Sequence, residues 1–274
     1  MTACLERIAK NNHEVFILVG LVILYGLLNI TCPAQEPSNR GGQVTNTIDQ
    51  IIEDPFIRLI AKGETWMVSA VLEKGHPVNV AESSDLTRTP ILAATFYERP
   101  EIVKVLIKFN ADLEAKDKAG LNALMYACYR QNLELAELLT TNGAKANSQA
   151  NGGTTPLLIA AHLGNAALVN LLLQHGADVK GSTDLGATAL MVSSENKEVL
   201  EKLVNLDLDV NAQDNNGWTA LFHAIDNGQL MKIDFLLRHG ADKSLKDKAG
   251  RTPLMLAINE KNLALRASMV KLLH

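Results

Sequence analysis

One phrase recurs along this chain at almost fixed spacing: Thr155-Pro156-Leu157-Leu158-Ile159-Ala160-Ala161-His162-Leu163-Gly164, then Leu171-Leu172-Leu173-Gln174-His175-Gly176-Ala177-Asp178-Val179. Equivalent places are held by Thr89-Pro90-Ile91, Asn122-Ala123-Leu124, Thr188-Ala189-Leu190, Thr219-Ala220-Leu221 and Thr252-Pro253-Leu254. Subtracting successive first positions, with Thr155 in its place, gives pitches of 33, 33, 33, 31 and 33 residues. A second marker keeps phase: Asp112, Lys145, Asp178 and Asp242 lie 23 residues beyond the leading Thr or Asn, and Asp209 lies 21 beyond. A unit of this size cannot bury its apolar face alone, so the chain must stack its units.

Local signals divide each unit into two short helices. The Thr, Asn or Asp before each apolar run fits an N-cap, and the proline that often follows fits the first helical position, where no amide donor is lost. Gly143, Gly176 and Gly240 stand just past an apolar run, where a helix ends in a left-handed residue. These residues resemble the ankyrin repeat, whose pattern is T-P-L-x-x-A-A followed by L-L-L-x-x-G-A-D-V-N. The resemblance covers about residues 53–274. It implies an all-α solenoid of about seven stacked helix-turn-helix units with connecting hairpin loops. The units are expected near 53–82, 85–115, 118–148, 151–181, 184–212, 215–245 and 248–274. The first, opening on Asp54-Pro55-Phe56, drifts from the pattern as a terminal cap does, and the last is expected to cap the other end. The unit from Thr188 is two residues short, with the deletion placed near Glu195-Asn196-Lys197, and Asp207 stands where others have glycine.

The same resemblance implies function by binding. In ankyrin-like proteins a protein partner lies in the concave groove, across the hairpin tips and inner helices. The residues here at those places include Phe96, Tyr97, Tyr129, Arg130 and His162 on the helices, and Lys118, Leu121, Trp218 and Arg251 at the tips. Phe96, Tyr97, Tyr129 and Arg130 form the densest aromatic and arginine group, a composition enriched at interface hot spots. Packing between layers is the competing use of Phe96, Tyr129 and Arg130. The expected molecule is a monomeric, non-enzymatic scaffold for a protein partner. The alternative is a secreted effector or immunity-type protein that holds a foreign or toxic target in the same groove.

Other chemistries lack their residues. No G-x-S-x-G, H-E-x-x-H or G-x-x-x-x-G-K occurs, so no catalytic residue and no cofactor is expected. No C-x-x-C or H-x-x-x-H pair supplies metal-ligand spacing. The net charge of −4 and the lack of any Lys/Arg block argue against nucleic acid. Three cysteines make no disulfide framework, and Cys128, in Tyr126-Ala127-Cys128-Tyr129, reads as a small buried hydrophobe. Asp178 and Asp242 read as repeat-defining carboxylates that bond turn amides.

The N-terminus is a separate matter. Val15 to Leu28 carries no charge, and with Asn29, Ile30 and Thr31 it reaches 17 residues. That length lies between a signal-peptide core and a short membrane span. Residues 1–32 are therefore expected to be a signal peptide cut near Ala34 or an uncleaved anchor contacting the membrane through 15–31. The mature chain would be exported: periplasmic or held at the inner membrane if bacterial. Acylation at Cys32 is the alternative, with Asn29 and Thr31 departing from the lipoprotein pattern. Residues 33–52 are polar and turn-rich, as suits a flexible linker.

Overall fold

The repeated cap residues start helices where the spacing places them. In a computed structural model that describes residues 54–80, 89–206 and 208–274, the helices come in pairs. The first helix of each pair is α1 (Pro55–Lys62), α3 (Pro90–Phe96), α5 (Ala123–Tyr129), α7 (Pro156–Leu163), α9 (Ala189–Val192), α11 (Ala220–Asp226) or α13 (Pro253–Ile258). The second is α2 (Thr65–Glu73), α4 (Pro100–Lys108), α6 (Leu133–Thr141), α8 (Ala166–Gln174), α10 (Lys197–Asn205), α12 (Leu230–Arg238) or α14 (Leu263–Leu273). Among the described residues there is no strand, only an isolated antiparallel bridge between Ser182 and Thr188. Residues 51–274 form one compact unit. The expected leader, the expected cleavage point at Ala34, Cys32, the expected linker and Asp207 lie outside the described residues.

Each first helix packs on the next first helix, and each second helix on the next second helix, which makes the array a solenoid. The leading residues act as caps in most layers. Asp54 accepts the amides of Phe56 and Ile57 at 2.7 and 3.2 Å, and Asn122 accepts that of Met125 at 3.0 Å. Thr155, Thr188 and Thr252 cap their helices likewise, whereas Thr89 and Thr219 hold the position without a side-chain cap bond. The second helices carry a parallel set of caps that the repeat phrase does not advertise: Asn132, Asn165, Asn196 and Asn262. Gly143, Gly176 and Gly240 take φ of 95°, 80° and 88°, and Asn110 fills the same left-handed role at φ 59°.

The core lies between the two rows. Ile91, Leu124, Leu157, Leu190 and Leu221 hold one register position and are at most 1% exposed. Burying each such side chain contributes about 1.5–3 kcal/mol. Three places further on in the full-length helices come Ala94, Ala127, Ala160, Ala224 and Ala257, all fully buried, which lets first helices approach closely.

The layer from Thr188 is the short one, but the loss falls on its first helix rather than on the turn near Glu195-Asn196-Lys197 where the deletion was expected. Its two caps, Thr188 and Asn196, are 8 residues apart, against 10 between Thr155 and Asn165. The shortening falls on the first helix: α9 has 4 residues, and α7 has 8. The core alanine position is Ser193, 1% exposed, whose hydroxyl donates to the Leu190 carbonyl at 2.9 Å.

Candidate partner-binding surface

The hairpin tips are built by aspartates that the repeat phrase leaves unmarked. Asp117 accepts the amides of Ala119 and Leu121 at 2.9 and 2.8 Å, and the Tyr126 hydroxyl donates to it at 2.6 Å. Asp214 accepts the amides of Asn216 and Trp218, and Asp247 those of Ala249 and Arg251. An aspartate followed four residues later by the tip's last residue is the sequence signal that could have located them. Asp178 and Asp242 bond turn amides too, those of Lys180 and Ser244 at 2.9 and 2.8 Å.

The tips are joined in series. The Asn151 amide donates to the Ala119 carbonyl, that of Asp184 to Gly152, that of Asn215 to Leu185 and that of Lys248 to Asn216, at 2.9–3.0 Å. This ladder requires close approach. At Gly153, φ is 77° and a Cβ would stand 2.7 Å from the Asp184 amide nitrogen.

On this framework the expected contact residues separate into two groups. In the second and third layers Phe96 and Leu121 are buried, at 8% and 5% exposure, and serve as packing. Tyr97, Tyr129 and Arg130 are half-buried, and Lys118 is exposed. The Phe96 ring meets Tyr97 edge-on at 5.2 Å, and the Arg130 guanidinium lies 4.6 Å above its centre. Arg130 also donates to the Phe96 carbonyl, as Arg99 does to that of Ala61 one layer earlier. Both arginines therefore close the end of the preceding first helix. Burial above all, with Cys128 and the Asp117 carboxylate nearby, pushes the Tyr129 phenol up to about 12, so it stays protonated and able to donate.

The second group spans the sixth and seventh layers. Trp218 is half-buried, stacks against Phe222 at 6.0 Å and donates from Nε1 to Asp247 at 3.3 Å. The Arg251 guanidinium pairs with Asp247 at 2.7 Å and stands 6.0 Å from the Trp218 ring centre. Beneath them His223 Nε2 donates to Asp214 at 2.9 Å with both side chains buried. Burial raises the Asp214 carboxyl, but the His223 bond and the Trp218 and Asn216 amides outweigh it and leave the group below the ordinary range. His162, in the fourth layer, is half-buried and donates from Nδ1 to the Val192 carbonyl at 3.2 Å, so part of its capacity is spent within the fold. Among the described residues no cluster of three or more His, Cys, Asp or Glu is placed to hold a metal ion. No described helix is long and apolar enough to cross a membrane.

Residues 56–150, 134–214 and 190–274 each match a family described as ankyrin repeats (3 copies), and the chain belongs to the ankyrin-repeat family. The crystal structure of the ankyrin repeat domain of Bcl-3, described as a unique member of the IkappaB protein family, aligns at a TM-score of 0.65 and 25% identity. That alignment covers 81% of this chain and 98% of the other. An ankyrin repeat protein of Acanthamoeba polyphaga mimivirus is 37% identical over 68 residues, 25% of this chain and 9% of that protein. The Escherichia coli ankyrin repeat protein YahD is 44% identical over 64 residues, 22% of this chain and 32% of that protein. The 2-5A-dependent ribonuclease of Homo sapiens is 37% identical over 67 residues, 24% of this chain and 9% of that protein. The matched segments thus span less than a third of these relatives. Ankyrin repeats form a non-enzymatic interaction scaffold.

Proposed function

We propose that this chain captures a protein partner along the concave face formed by its first helices and hairpin tips, and that its N-terminal segment exports it or holds it at a membrane. The observation that carries the binding reading is the half-buried group Tyr97, Tyr129 and Arg130, with Lys118 exposed at a hairpin tip. Such a group offers rigid aromatic area and charged donors on a scaffold already held by its own hydrogen bonds. Trp218 and Arg251 extend the same face at its far end.

Affinity capture with the full chain tests this reading. Tyr97→Ala with Tyr129→Ala should abolish recovery of a partner, while Glu137→Ala, at an exposed position of α6, should leave it intact. Equal recovery with both variants would place the contact elsewhere. Export rests on the uncharged run Val15 to Leu28. Intact-mass measurement of soluble and membrane fractions tests it: a soluble species starting near Gln35 means cleavage, and a full-length membrane species means an anchor.

A further inference from the structure

Lys232 occupies a place that the other layers fill with an apolar residue. Counting from the caps, its equivalents are Met67, Ile102, Leu135, Leu168, Val199 and Leu265, and Ile102, Leu135, Leu168 and Val199 are fully buried. Lys232 is itself fully buried on α12. Its ammonium reaches into the layer below, donating to the Met191 carbonyl at 3.1 Å and to the Ser193 carbonyl at 2.5 Å.

Those carbonyls exist as free acceptors because of the deletion. A helix leaves its last four carbonyls without intrahelical partners. In α9 the Ser193 amide takes the Ala189 carbonyl, and side chains close the rest of the shortened end: the Ser193 hydroxyl takes the Leu190 carbonyl, Lys232 takes Met191 and Ser193, and His162 Nδ1 takes Val192. Other layers meet the same need with arginines at the surface, Arg99 and Arg130. Here the donor is a lysine amine enclosed by the core.

We propose that Lys232 makes the seam between the layers starting at Thr188 and Thr219 a proton-sensitive joint, tight when the amine is neutral and loosened when it is charged. A neutral amine still donates to both carbonyls and suits its apolar surroundings. A charged one must forgo hydration. Compensation is slight. Glu195, on the turn after α9, is the charged group that acts on it, and its Oε1 already accepts the Met231 amide at 3.0 Å. The other elements packed on α12 bring His223 and Asp226 on α11, Glu198, Glu201, Lys197 and Lys202 on α10, and Arg266 and Lys271 on α14. None of these offsets the charge as Glu195 does. Burial accordingly lowers the Lys232 ammonium to about 7. The sign follows. Between that value and the ordinary lysine range an opened seam binds one proton more than the closed one, so raising pH favours closure, up to about tenfold per pH unit.

Trp218 lies in the upper of the two layers, so its fluorescence reports the joint once Trp66 is replaced by phenylalanine. In the full chain carrying Trp66→Phe, the urea midpoint read from Trp218 should rise from pH 7 to pH 9, and Lys232→Met should remove that rise. A second reading needs no substitution at Lys232. In the ¹³C-lysine NMR spectrum, one ε-methylene should titrate near neutrality, apart from all the others. A midpoint that does not change with pH, a slope that Lys232→Met retains, or lysines that all titrate together in the ordinary range would each overturn the proposal. If Lys232→Met does not fold, the NMR titration decides.

Discussion

The guanidinium of Arg130 grips the carbonyl of Phe96 through Nε and Nη2 at 3.0 and 2.9 Å while lying over the same residue's ring. One side chain thereby closes the end of α3 and ties the third layer to the second. Arg130→Ala should lower stability by about 1 kcal/mol, since the group is partly screened by water. For a domain of this size that is a fall of about 2–4 °C in thermal unfolding followed by circular dichroism. Arg130→Lys should recover little of it, because a point ammonium cannot form the two-pronged contact.

Gly153 and Gly176 both have positive φ but face different surroundings. A Cβ at Gly153 would meet the next tip's backbone, whereas one at Gly176 would meet nothing within 4 Å. Gly153→Ala should therefore destabilise by more than the roughly 1–2 kcal/mol expected of Gly176→Ala from backbone strain alone. Urea titrations of the two variants measure the difference. Equal losses would mean that the tip ladder yields without cost.

The Asp214–His223 bond sets an acid limit. With its carboxyl held below the ordinary range, Asp214 contributes stability that is full above that range and is lost as pH falls through the lowered value. The wild-type urea midpoint should drop on going from pH 5 to pH 2.5, and Asp214→Asn should flatten that drop. At pH 7 the same variant should cost about 1–3 kcal/mol by disturbing a buried pair.

Cys128 is fully buried, and burial pushes its thiol up to about 12. In a chain carrying Cys4→Ser and Cys32→Ser, iodoacetamide at neutral pH should leave Cys128 unmodified for as long as the array stays folded. Labelling detected by mass should begin only with the unfolding transition. Prompt labelling of the native chain would show that α5 opens locally.

The sequence by itself determined the solenoid, because the features that specify it are short-range and repeat. Caps at Asn122 and Thr155, left-handed glycines at 143, 176 and 240, and apolar runs between them need no knowledge of distant residues. It also located the shortened unit, because a missing pair of residues breaks a count. Tertiary structure alone decided what the unusual residues do. Phe96 and Arg130 read alike as contact candidates, yet one is packed away and the other divides its face between a neighbouring carbonyl and solvent. Asp214 meets His223 across nine residues, and Lys232 meets Met191 across forty-one. Nothing in local propensity reports a donor supplied from the layer above. The physical reason is that a helix end must be closed, but any donor of suitable length can close it, and only the stacking brings that donor within reach.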